Sequence, residues 1–284
     1  MNSYISRRQF LAGALVAGTA EAVLAPATTQ SVAATPANEF DFPIIDFHAH
    51  VEGNFTLQRA LELANARGAK LGLAEHAGCK EEVHNDATLK AYLERVKAAP
   101  VYKGIQAEGL DWMKCFSKEA IAELDFVLSD ALTFPEKDGR LVHLWTPEAK
   151  ITDKQDFMDR YVDFNVQVIS EEPIDIFANP TFLPEAIVKE YDVLWTEPRM
   201  TKVIKAAAKY GVAIEINSLY NIPSEKFLRM AKAAGVKFSF GSNAHGDGVG
   251  KLDYSIKMAK VLGVTRENMF MPAPRDQKPI MRRT

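Results

Sequence analysis

The chain of 284 residues is 47% hydrophobic, 25% charged and 10% aromatic, with 16 Gly, 14 Pro and a formal charge of -3. These are the proportions of a globular protein with a sizeable core, and they exclude a disordered chain, a collagen-like fibre and a disulfide-stapled miniprotein. Lys and Arg never run beyond two in a row, so the chain lacks the electrostatic footprint that nucleic acid requires, and a small molecule is the expected partner.

Residues 1–37 read as an address. Ser6-Arg7-Arg8-Gln9-Phe10-Leu11 is followed by the weakly apolar stretch Ala12 to Ala25 and then by the small-residue segment Ala27 to Ala37. A charged start, a short apolar middle and a small-residue cleavage region are the parts of a bacterial export signal. The arginine pair resembles a twin-arginine signal. That resemblance implies the twin-arginine export machinery as a partner, a periplasmic or extracellular location, and export of an already folded protein, a route used when a cofactor is inserted before crossing. Gly13, Gly18, Thr19 and Glu21 interrupt an apolar stretch that already falls short of the roughly 20 residues a membrane span needs, so no span is expected in the mature chain. Residues 38–284 are expected to form one domain.

From Pro43 onward, β-branched and aromatic runs alternate with amphipathic segments. Pro43 to Val51 precedes a helical pattern from Thr56 to Arg67, in which Leu57, Ala60, Leu61 and Ala64 share a face and Gly68 ends the run. Lys70 to Glu75 leads to a helix over Asp86 to Ala98, and Val101 to Glu108 leads to a short helix over Lys118 to Leu124. Phe126 to Leu132 opens a longer turn-rich segment ahead of the helix Asp153 to Ser170. Strands over Asp175 to Ala178, Val212 to Asn217 and Lys237 to Gly241 precede helices near Pro198 to Tyr210, Ser224 to Ala234 and Leu252 to Leu262. This alternation predicts a parallel α/β sheet with right-handed crossovers. Polar residues fall at the C-terminal ends of many different strands, which favours a (β/α)7 barrel with its site at that face over an open sheet with one crevice.

No Gly-rich phosphate loop and no Gly-x-Ser-x-Gly elbow is present. Instead, Asp46-Phe47-His48-Ala49-His50 closes the first strand. Strand residues two apart share a side, so His48 and His50 are expected to offer imidazoles to one metal ion, with Asp46 behind them. Glu108 ends the third strand with a carboxylate able to bridge two ions, and His76 and His245 are further imidazoles at strand ends. Cys79 and Cys115 are too few for a thiolate zinc site, and whether they pair is not readable.

These motifs, in this order, resemble the polymerase and histidinol phosphatase (PHP) family of metal-dependent phosphoesterases. Asp46 to His50 is similar to its first motif, Ala74-Glu75-His76 to its Thr-Asp-His, and Glu108 to its bridging Glu. Ala213-Ile214-Glu215-Ile216-Asn217 is similar to its Glu-x-Asn strand, and Gly241-Ser242-Asn243-Ala244-His245 to its Gly-Ser-Asp-Ala-His. The resemblance implies a distorted seven-stranded barrel and one or two divalent ions: zinc, manganese or iron. One ion position would draw on His48, His50, Glu108 and Asn243, a second on His76 and His245, with His76, Glu108 and His245 also in catalytic roles. This chain departs from the pattern at Asn243 for Asp, at Ala178-Asn179-Pro180 for Ala-His-Pro, and at Ser129-Asp130-Ala131-Leu132 for Gly-Ser-x-His. Asp130 or His143 is a candidate replacement.

The expected activity is an exported metal-dependent hydrolase, phosphoesterase-like, in which Arg199, Asn179 and Asn217 contact substrate. Trp112, Trp145, Tyr191, Trp195 and Tyr220 lie in or near the loops after strands and offer stacking surfaces for an organic or sugar substrate. Two other readings are a binding protein of the same fold that has lost turnover, and an amidohydrolase-type barrel, which also starts with His-x-His but needs a later Asp.

Overall fold

The computed structural model describes residues 39–283; the export signal expected over residues 1–37 lies outside the described residues. Its strands are β1 (Ile45–Ala49), β2 (Lys70–Ala77), β3 (Val101–Ala107), β4 (Phe126–Ser129), β5 (Thr133–Pro135), β6 (Leu141–His143), β7 (Ile176–Phe177), β8 (Ala213–Asn217) and β9 (Phe238–Gly241). Between them run α1 (Leu57–Ala66), α2 (Asp86–Arg95), α3 (Lys118–Ile121), α4 (Lys154–Glu171), α5 (Tyr191–Leu194), α6 (Glu197–Tyr210), α7 (Glu225–Ala233) and α8 (Asp253–Leu262), with α9 (Pro279–Arg282) closing the chain. The helices start where polar side chains satisfy the first free N–H groups: Thr56 accepts from Arg59, Asn85 from Thr88, Asp153 from Gln155 and Asp156, and Ser224 from Phe227.

Strands β1-β2-β3-β4-β7-β8-β9 pair in parallel in that order, and the Asp46 and Phe240 partners of β1 and β9 close the barrel. The seven strands expected from the sequence are these seven. The remaining two, β5 and β6, pair antiparallel as a hairpin inside the segment read only as turn-rich. Each is three residues long and β5 ends in Pro135, so neither gives an alternation that sequence can register.

The barrel is filled in layers. Ile45, Phe47, Ala74, Phe126, Leu128, Ile176, Ala178 and Ala213 pack inside with Phe270, which comes from beyond the last strand. Phe47 meets Phe126 and Phe270 edge-on, with ring centroids 5.1 and 5.2 Å apart. Gly104 sits where a Cβ would collide with the Phe126 ring, so the absence of a side chain there admits the aromatic layer. Above these apolar layers, at the C-terminal ends of the strands, the interior turns polar.

The change in β1 is abrupt. Its pairing with β2 shifts register between Asp46 and Ala49, and this bulge reverses which residues face inward. Ile45 and Phe47 belong to the interior layer, yet past the bulge it is His48 and His50 that reach the mouth. Asp46 is therefore not on their side. Its carboxylate instead accepts from Ser242 N at 2.9 Å, Ser242 Oγ at 2.6 Å and Gly250 N at 2.8 Å, tying β1 to the loop after β9. Cys79 and Cys115 are bonded, with Cα atoms 5.5 Å apart, and staple the loop after β2 to the loop after β3. Among the described residues, no helix is long and apolar enough to cross a membrane.

Candidate metal centre

Three imidazoles gather at the barrel mouth. His50 at the end of β1, His76 on β2 and His245 in the loop after β9 bring one nitrogen each to within 4.8 Å of one another. The His50 ring lies between the other two, with centroids 4.4 Å from His76 and 4.3 Å from His245 and planes nearly parallel. Backbone pairing sets this convergence: His50 N donates to Ala244 O at 2.8 Å and Ala244 N to His48 O at 3.3 Å, which fixes β1 beside the loop carrying His245.

Two of the three rings are backed by carboxylates. His76 Nδ1 lies 3.0 Å from Glu108 Oε1, and His245 Nδ1 lies 2.7 Å from Glu52 Oε1. A carboxylate accepts a proton from Nδ1 and thereby leaves the Nε2 lone pair available. His76 Nε2 is buried and has no hydrogen-bond partner among the described residues, as a ligand atom awaiting an ion would be. Burial pulls the His245 pKa below its ordinary value against the opposing pull of Glu52, which favours the neutral ring that a metal needs. By the chemistry of its donors the group fits a divalent ion, since three histidines with a fourth position open is a known arrangement for catalytic zinc.

His48 is divided from His50 by its partners, although the ring centroids are only 5.2 Å apart. His48 Nδ1 meets Glu215 Oε1 at 2.6 Å, and Nε2 meets Gln106 Oε1 at 3.0 Å. Gln106 directs its Nε2 to Glu108 at 2.9 Å and to Asp130 at 3.5 Å, so its oxygen is the atom left to accept from His48. Both His48 nitrogens thus lie within hydrogen-bonding distance of side-chain oxygens, of Glu215 and of Gln106. Burial by itself would raise the Glu215 pKa, but the His48 charge and hydrogen bonds from His48, Asn179 and Asn217 outweigh it and hold the carboxyl below its ordinary value. Gly241 makes room for this pair, because a Cβ there would overlap the Glu215 carboxylate.

A scan against family models finds no match to this chain, and a search of curated proteins finds no similar sequence.

The expected grouping of His48, His50, Glu108 and Asn243 on one ion and His76 with His245 on another differs from the grouping of the side chains. Glu108 backs His76 and shares the Gln106 amide with His48, and Asn243 Nδ2 donates to Asn179 Oδ1 at 3.2 Å. Asp130 accepts from Asn179 Nδ2 at 2.8 Å, while Asn217 Nδ2 donates to Asn179 Oδ1 at 3.0 Å. His143 stands on β6 with its ring 4.5 Å from that of Trp145 and is not one of the three converging histidines. Arg199 braces one helix against another: its guanidinium donates to Asp159 at 2.7 Å, Gln155 Oε1 at 2.9 Å and Leu194 O at 2.9 Å. Trp112 and Trp195 are core residues, fully buried, whereas Tyr220 remains on the surface.

Two residues of the site escaped the sequence reading. Glu52 was signalled only by its position two after His50, and Gln106 only by its position two before Glu108. Neither belongs to a recognisable motif, and each gains its role from a partner far away in the chain.

Proposed function

We propose that the protein is a metal-dependent hydrolase whose single divalent ion is held by His50, His76 and His245. The observation that carries this reading is the convergence of three imidazoles from three elements, two with a carboxylate on the far nitrogen. Imidazole donors suit zinc or iron better than manganese, which prefers oxygen ligands. Such an ion supplies Lewis acidity, bringing the pKa of water from about 15.7 to about 7 and polarising a carbonyl or phosphoryl oxygen. Glu108 and Glu52 hold the Nδ1 protons of His76 and His245 and so fix both rings. Gln106 couples Glu108 to the His48–Glu215 pair and keeps the Glu108 carboxylate oriented. The apolar layers of Phe47, Phe126 and Phe270 below the mouth keep water out of the barrel interior and strengthen these electrostatic contacts.

The disulfide between Cys79 and Cys115 supports export to an oxidising compartment, periplasmic or extracellular, through the twin-arginine machinery. Elemental analysis of protein recovered from that compartment tests the metal. About one ion per chain is expected, lost in His50→Ala, His76→Ala and His245→Ala, together with metal-dependent hydrolysis of 4-nitrophenyl esters. A protein that holds the ion but hydrolyses none of them is a binder, and one that never holds an ion removes the reading altogether.

A further inference from the structure

His245 stands on a loop whose two halves are held differently. Up to Ala244 the chain is paired with β1, through the His50 N–H on Ala244 O and the Ala244 N–H on His48 O. Beyond His245 that pairing ends, and the next five residues include Gly246, Gly248 and Gly250. Glycine has the widest choice of backbone conformations, so this half of the loop loses the most conformational entropy when it is ordered. His76, by contrast, lies inside β2 and is in register with Gln106 of β3. A group binds more tightly when it is already fixed in its bound conformation, so His245 is the histidine of the three that most needs support from elsewhere.

Two clamps supply it. Arg67, the residue that follows α1, donates from Nη1 to Asp247 O at 2.9 Å and to Val249 O. Arg59, earlier on the same helix, places Nε 3.5 Å from Asp247 Oδ1. Gly250 is left-handed, with φ of 75°, and lies so close to α1 that a Cβ there would stand 3.3 Å from Ala64 Cα and 3.4 Å from Arg67 Cδ. The second clamp is the buried Asp46 carboxylate, which accepts from Gly250 N at one end of the loop and from Ser242 N and Oγ at the other. Asp46 therefore closes the loop 242–250 at both ends, and Arg67 holds the stretch between. Because the acceptors of Arg67 are main-chain oxygens, it fixes the path of the chain on the glycine-rich side of His245.

We infer that Arg67 and Asp46 are positioning residues of the metal centre, which hold His245 in reach of the ion by fixing the backbone of its loop. This rests on the metal-dependent hydrolase reading. Arg67 acts from a helix that supplies no ligand, and its effect passes through His245 alone, since His50 and His76 are set by strand pairing.

The test loads the full chain with zinc and with cobalt. Arg67→Met keeps an aliphatic stem at a half-buried position and removes both donors. It is expected to weaken zinc binding about tenfold in competition with a chromophoric chelator, the lower end of what the outer partners of a ligand contribute. In the cobalt-loaded protein the paramagnetic ion shifts the ring N–H protons of His76 and His245 clear of the other NMR signals, and Glu108→Gln and Glu52→Gln assign them. Arg67→Met is expected to shift or broaden the His245 signal and to leave that of His76 in place. Asp46→Asn, which sets an amide against the Gly250 N–H, should give the same signature, and Arg67→Lys, which keeps a cationic donor, should restore part of the zinc affinity. An unchanged zinc affinity in Arg67→Met, or a loss without a change confined to His245, overturns the inference and leaves the metal hydrolase standing. A native chain that takes up neither ion overturns both.

Discussion

A carboxylate on the far nitrogen of a ligand histidine fixes its tautomer and raises its basicity. Glu108 and Glu52 stand in that position to His76 and His245. Glu108→Gln and Glu52→Gln are each expected to weaken zinc binding roughly 10- to 100-fold without unfolding the protein, read by competition with a chromophoric chelator. His48 behaves oppositely. Its Glu215 partner also accepts from the buried Asn179 N–H and Asn217 Nδ2, so Glu215→Ala leaves buried polar groups unpaired and should cost about 1 to 3 kcal/mol in urea unfolding. At this scale the sequence was only partly legible. The residue types His48, His50, His76 and His245 stand out because imidazoles at strand ends are few. Which of them converge was hidden, because a one-residue bulge in β1 and the neutral side chain of Gln106 decide it.

Among the elements, the seven barrel strands were readable because each is a short β-branched or aromatic run followed by an amphipathic helix. The hairpin of β5 and β6 was not, since three residues show no period. His76 near the end of β2 and Glu108 just after β3 lie next to the loops that the disulfide between Cys79 and Cys115 joins. Replacing both cysteines with serine should lower stability by about 2 to 4 kcal/mol and weaken metal retention, seen as a smaller rise in Tm on adding zinc. Where α4 leads into β7, two buried carboxyls add a pH dependence. Burial pushes Glu172 from 4.5 up to about 7, against hydrogen bonds from Trp112 and Ser129, and Asp175 from 3.8 up to about 7, against the Val127 N–H. The folded state therefore binds protons that the unfolded chain has already released. Their stabilising contribution is complete below the ordinary carboxyl values and is lost as pH rises through about 7. Glu172→Gln should flatten that part of the fall in Tm between pH 5 and pH 8.

At the scale of the whole molecule, one barrel can hold carboxylates so deep because each is hydrogen-bonded, Glu215 by His48, Asn179 and Asn217 and Asp46 by Ser242 and Gly250. Phe270, from beyond the last strand, packs under Phe47 and closes the interior below the site. A sequence-based count of βα units leaves a barrel or an open sheet, and the polar residues at the ends of many strands favour the barrel. The register of that closure, between Asp46 and Phe240, joins residues almost two hundred apart in the chain. The most direct measurement is an anomalous difference map from a crystal of the metal-loaded protein, recorded at the absorption edge of its ion. One peak is expected, about 2.0 to 2.1 Å from a nitrogen of each of His50, His76 and His245, with His48 still paired to Glu215. A peak bonded instead to His48, Glu108 and Asn243, or no peak at the barrel mouth, would contradict the account.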